Sequence, residues 1–223
     1  MLLSYKNSAQ IKERFLQELQ QMLDQMPGGL CLDSPGLGGW NSSYDKYTSL
    51  TIGIPGQLVY VHDALWNGVG EERARIWPLE FAGAVNVGVE LNTVWPLFAV
   101  RLLTEVSAKV QDEALRAAID SVSRLYQENA AATDVRWTET VAALQIDSPE
   151  YHAADVAVGA AEARSRKQTR KASEAVASAL TLLSLSGTND WQADREERRA
   201  VSNRLADELL AMVASVGAPL LTA

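Results

Sequence analysis

The chain has 223 residues, 47% of them apolar and 22% charged, with 28 acidic against 20 basic side chains for a net charge of -8. That much apolar material builds a real core and excludes a fibre or a disordered tail. The negative balance excludes sequence-independent nucleic-acid binding, which rests on neutralising phosphates, and leaves a protein partner or a small-molecule ligand.

Ile11, Phe15, Leu19, Met22, Leu23 and Met26 recur at spacings of three and four behind an Asn7-x-x-Gln10 capping box, which predicts a helix ended by Pro27-Gly28-Gly29. A Gly-rich irregular segment over residues 27–53 follows, carrying Trp40, Tyr44 and Tyr47, with a short strand open to Ser49–Ile54. So long a loop in a compact domain is functional or disordered, and its aromatics argue for function. Helical pattern returns at Pro55, with Leu58, Val61, Leu65 and Trp66 on one face, closed by Gly68 and Gly70. A short amphipathic piece through Ile76 comes next, and Pro78 opens a further turn ending near Ala84. Asn92 or Thr93 caps a helix with the apolar stripe Val94, Leu97, Phe98, Leu102 and Val106. Two more helices carry Leu115, Ala118, Val122, Leu125 and Tyr126, then Trp137, Val141 and Leu144 behind a Thr133 or Asp134 cap. Trp77-Pro78 and Trp95-Pro96 place tryptophans at turns, where core packing is their expected role.

Ser148-Pro149-Glu150 starts a stretch without a strong breaker until Gly187, room for a helix of about 55 Å at 1.5 Å per residue. Its face is mostly alanine, interrupted by the basic run Arg164–Lys171, which marks a kink or a solvated overhang. A last helix from about Asp190 carries Val201, Leu205, Leu209 and Met212. The expectation is a mainly all-α, multi-helix protein. Residues 1–148 form an acidic helical domain and 149–223 a long Ala-rich antiparallel helix pair. The charge excess falls wholly in residues 1–150.

Several motifs invite chemistry. Gly36-Leu37-Gly38-Gly39 lacks the lysine of a phosphate-binding loop and the βαβ context of a dinucleotide site. His62-Asp63 suggests a base and its orienting carboxylate, yet adjacent helical side chains point about 100° apart and share one metal poorly. With His152 the only other histidine and Cys31 the only cysteine, neither a metal nor a cofactor is expected, and a disulfide within the chain is excluded. Ser42 and Ser43 lack a nucleophile-elbow pattern. The opening stretch has no signal-peptide core and no run of about 18 apolar residues occurs, so no membrane span and a cytoplasmic setting are expected.

Ile52-Gly53-Ile54-Pro55, Asp63-Ala64-Leu65-Trp66, Trp77-Pro78-Leu79-Glu80-Phe81, Ala84–Leu91 and Trp95-Pro96-Leu97-Phe98 together resemble a widespread group of uncharacterised bacterial and phage-borne Ala-rich helical proteins. The group carries a Gly-Cys pair and a His ahead of the Ile-Pro element; here Ser42–Asp45 stand at the His position, and His62 stands where the group has Glu. The resemblance implies an immunity-like protein with no assigned activity. Joined to the acidic first part, it gives the leading expectation: a binding protein that sequesters a protein partner or small ligand, with Trp40, Tyr44, Asp45 and Tyr47 lining the site and His62 and Asp63 beneath. The alternatives are a hydrolase with His62 as base, and a structural module pairing copies into a homodimer.

Overall fold

The computed structural model describes residues 3–25, 52–144, 150–165, 168–185 and 191–217. Among these residues the fold is all-α, with nine α-helices and no strand. They are α1 (Ala9–Gln25), α2 (Gly56–Trp66), α3 (Glu71–Ala84), α4 (Val94–Ser107), α5 (Glu113–Gln127), α6 (Val135–Leu144), α7 (Tyr151–Ser165), α8 (Lys171–Leu183) and α9 (Trp191–Ser215). Of the Gly-rich segment 27–53 only Ile52 and Gly53 are described, and Ile52–Ile54, the described part of the expected strand, contains none. Two compact units emerge, residues 1–94 with 204–223 and residues 95–203, the division passing through α9. Ser148 lies within the span of the second unit, where α7 and α8 group with α5 and α6.

The first unit begins with a tight turn over Ser4–Asn7, in which Tyr5, Lys6 and Asn7 have φ values of 50°, 49° and 57°. This is the left-handed region, which costs an L-residue about 1–2 kcal/mol. Hydrogen bonds to the segment after α3 hold it. The Ser4 amide donates to the Val89 carbonyl (2.9 Å) and the Ser4 carbonyl accepts from the Gly88 amide (3.0 Å). The Ser4 hydroxyl donates to the Asn86 carbonyl (2.5 Å), and the buried Tyr5 hydroxyl donates to the Ala82 carbonyl (2.7 Å). Gly88 has φ +74°, and a Cβ there would lie 2.1 Å from Asn7 Oδ1, so glycine is required. The Asn7–Gln10 capping box therefore does not form. Asn7 is left-handed rather than extended, and Ser8 Oγ instead accepts from the Ile11 amide at 3.3 Å.

α2 starts after Pro55, as its pattern predicts, with Leu58, Val59, Val61 and Leu65 fully buried. α3 corrects the reading of Pro78: the helix runs unbroken from Glu71 to Ala84 with the proline inside. A proline removes the bond that its nitrogen would give to the carbonyl four residues earlier, here Ala74. Trp66 Nε1 donates to that carbonyl at 2.9 Å, which satisfies the orphaned acceptor from a neighbouring helix. Trp77 thus sits in mid-helix, fully buried, rather than at a turn.

In the second unit α5 is capped by Asp112, whose side chain accepts from the Ala114 and Leu115 amides. Its apolar stripe meets α6 and α7 around Tyr126. That hydroxyl accepts from Trp95 Nε1 (3.0 Å) and donates to the Ala160 carbonyl (2.6 Å), while its ring meets Trp137 edge-on at 5.1 Å. Leu97, expected in the buried stripe of α4, is 57% exposed, because Phe98, Ala99, Leu102 and Leu103 define the inward face.

The stretch 149–187, read as one long helix or one kinked at the basic run, contains two helices, α7 and α8, with Gln168–Arg170 outside both. The reason is the alanine face itself. Small side chains bury little alone, so the chain folds back at the basic run and packs one Ala face on the other. Gly159 makes this close: a Cβ there would lie 3.0 Å from the Lys171 carbonyl oxygen and 3.1 Å from the Ala175 amide nitrogen. The long antiparallel pair expected over 149–223 is accordingly a shorter hairpin, α7 on α8. The basic run contributes to it, since Lys171 Nζ lies 2.7 Å from Glu174 and 3.5 Å from Glu162. Arg164 donates to Asn129 Oδ1 and to the Ala130 carbonyl.

Candidate functional site

Trp40, Tyr44, Asp45 and Tyr47 lie outside the described residues, as do Cys31, Ser42 and Ser43. His62 and Asp63, the other members of the expected site, lie in mid-α2 and do come together. His62 Nδ1 is 2.8 Å from Asp63 Oδ1. With Asp63 ionised its carboxylate only accepts, so His62 Nδ1 is the donor of this bond. His62 is fully buried, and Asp63 is 7% exposed.

The enclosure is aromatic. The His62 ring stacks on Trp77 at 5.3 Å and 11°, and Phe81 lies tilted at 5.1 Å, both residues coming from the inward face of α3. Trp77 Nε1 donates to the His62 backbone carbonyl at 3.1 Å. Among the described residues Nε2 has no hydrogen-bond partner. Chemically the pair has the geometry of a base and its orienter, but its reactive nitrogen is sealed among apolar rings. In this conformation it joins α2 to α3 and reaches no substrate.

Beside it lies a cluster the sequence did not reveal. Arg73 sits over the Trp77 ring at 5.4 Å and bonds Glu80 Oε2 (3.1 Å) and Asp207 Oδ1 (2.5 Å). Burial works against the Arg73 charge, yet the hydrogen bonds it donates to Asp207 and Glu80 outweigh it and hold its pKa above the ordinary value. Arg73 and Glu80 share a helical face and were accessible to pattern reading. Asp207, 134 residues away, carried no local signal.

His152, the second histidine, belongs to the second unit, its ring 4.0 Å from that of Tyr151. Among the described residues no group of three or more His, Cys, Asp or Glu side chains is placed to hold a metal ion, and no helix is long and apolar enough to cross a membrane. Comparison with family models, with curated proteins and with solved structures gives no match to this chain.

Proposed function

We propose that the chain is a cytoplasmic binding protein which sequesters a protein partner or a small ligand, of the immunity or defence-conflict type found in bacteria and phages. The observation that carries this reading is the enclosure of His62: the adjacent His–Asp pair is committed to packing between α2 and α3. The acidic excess of residues 1–150 supports rapid, charge-steered association with a basic partner. The resemblance carried by Ile52–Pro55, Trp77–Phe81 and Ala84–Leu91 supports the immunity-like setting.

Native mass spectrometry of the purified full chain identifies the co-purifying species, and titration of that species into a Trp40→Ala/Tyr44→Ala variant tests the site. Binding weakened by about tenfold or more is expected for the loss of two aromatic anchors. Unchanged binding refutes the reading. The same charge distribution supports pairing of two copies, acidic residues 1–150 of one against the basic run of the other. Light scattering over a salt series checks this, a salt-independent monomer excluding it.

One observation favours a second reading, a hydrolase: the 2.8 Å contact by which Asp63 orients the His62 ring. It requires the aromatic enclosure to open. Metal determination and a broad hydrolase screen, with His62→Ala as control, test it; no activity in the unmodified protein removes it.

A further inference from the structure

The second unit contains an open groove of about 610 Å³ between the end of α4 and one stripe of α5. Thr104, Ser107 and Ala108 form one wall; Arg116, Asp120, Ser123, Arg124 and Gln127 form the other. The size falls within the range of small-ligand sites, roughly 300–1,000 Å³.

The spacing of Arg116, Asp120 and Arg124 is i, i+4, i+8, which on an exposed helix normally gives ion pairs along the stripe. These pairs do not form. Asp120 Oδ1 accepts from the Ser107 hydroxyl across the groove at 2.7 Å, and Arg116 donates to the Val110 carbonyl at the far end. Among the described residues the Arg124 guanidinium has no partner. Ser123 is only 7% exposed, yet its hydroxyl also has none, although Ser121 two residues earlier bonds back to the Ala117 carbonyl at 2.8 Å. A hydroxyl with no hydrogen-bond partner among the described residues and a free guanidinium therefore face one groove, with a carboxylate oxygen as neighbouring acceptor.

We infer that this groove binds a small molecule carrying an anionic carboxylate or phosphate group next to a hydroxyl or ammonium donor. Arg124 and Ser123 donate to the anion, and Asp120 accepts from the adjacent donor. This site stands or falls separately from the function proposed above.

The test is amide NMR on the full chain, titrated separately with inorganic phosphate and with acetate at constant ionic strength set by sodium chloride. Saturable shifts confined to Thr104–Ala108 and Arg116–Gln127 are expected, with the dissociation constant raised about tenfold or more in Arg124→Gln by loss of a charge-assisted bond. Ser123→Ala weakens binding in the same direction, while Arg170→Gln, an exposed cation outside the groove, leaves it unchanged. Saturation by phosphate alone assigns a phosphate-bearing ligand; saturation by acetate assigns a carboxylate. Absence of saturable shifts with both probes, or equal shifts in Arg124→Gln and the unmodified chain, overturns the inference.

Discussion

Replacing Gly159 by alanine tests the account of the α7–α8 hairpin, because two opposing effects of known size meet there. In a helix interior alanine is favoured over glycine by about 1 kcal/mol. The added Cβ would meet the Lys171 carbonyl oxygen at 3.0 Å, the Ala175 amide nitrogen at 3.1 Å and the Ala175 Cβ at 3.2 Å, all inside ordinary contact distance. Two of the three are backbone atoms that cannot swing aside, so α8 itself has to move by a few tenths of an ångström. Overpacking of this kind costs about 1–3 kcal/mol. The net expectation is a loss of about 1 kcal/mol. Gly83 in α3 supplies the internal control, since a Cβ there meets nothing within 4 Å. Gly83→Ala should stabilise by about 0.5–1 kcal/mol, somewhat reduced by its place near the helix end. Urea titration of the full chain, followed by far-ultraviolet circular dichroism at fixed m, measures both. The two variants should move in opposite directions by about 2 kcal/mol in total, or roughly 4–8 °C in Tm. If Gly159→Ala gains as much as Gly83→Ala, the hairpin does not depend on close approach at Gly159.

Further outcomes follow from single contacts. Lys6 is exposed at φ 49°, so Lys6→Gly should stabilise by about 0.5–1 kcal/mol in the same assay, whereas a left-handed turn without strain predicts a loss. His62→Ala removes a fully buried ring stacked on Trp77 and should cost about 2–4 kcal/mol; wild-type stability would refute its packing role. Trp66→Phe orphans the Ala74 carbonyl opposite Pro78 and should cost about 1–3 kcal/mol, seen as a lowered urea midpoint. Burial pushes the phenols of Tyr5 and Tyr126 well above their ordinary value, so both remain neutral in the fold while the unfolded chain ionises near pH 10. Their contribution is fully present below about pH 10 and falls above it by up to about 1.4 kcal/mol per pH unit for each tyrosine. Tyr5→Phe and Tyr126→Phe should each flatten that alkaline slope in stability measured from pH 9 to 11.

What the sequence disclosed divides along the range of the interactions concerned. Helices whose apolar residues repeat at three and four, such as α5 with Leu115, Val122, Leu125 and Tyr126, were legible because one local period determines the buried face. Caps were legible where the cap is a side chain reaching its own helix, as at Asp134, whose carboxylate accepts from the Arg136 amide at 3.0 Å. They failed at Asn7, whose left-handed backbone depends on Ser4 and Tyr5 bonding to residues 82–89. Pro78 was misread for the same reason: a proline breaks a helix unless another element supplies a donor for the freed carbonyl, and that donor is the indole of Trp66. Whether 149–187 is one helix or two stayed open in the sequence because an alanine stripe states how near a partner helix comes but not which helix it is. Gly159 resolves that only once Ala175 is seen against it.

The same distinction explains the candidate site. His62-Asp63 was noticed as chemistry because two titratable residues stand together in the sequence, but adjacency says nothing of enclosure. Enclosure comes from Trp77 and Phe81, which lie on α3 at spacing four and therefore face α2 as a pair. A buried imidazole needs its polar atoms satisfied or shielded, and the neighbouring carboxylate satisfies one nitrogen at 2.8 Å while the aromatic rings shield the other. Asp63 thus lets a histidine occupy a core position that an unpaired polar ring would destabilise. The α5 groove shows the converse. Its residues carry no motif, but Arg116, Asp120 and Arg124 at i, i+4 spacing set up an expectation of mutual pairing that Ser107 and the Val110 carbonyl defeat, leaving Arg124 facing solvent-accessible space. A charge that local geometry should have neutralised, and did not, is a better pointer to binding than a histidine already spoken for.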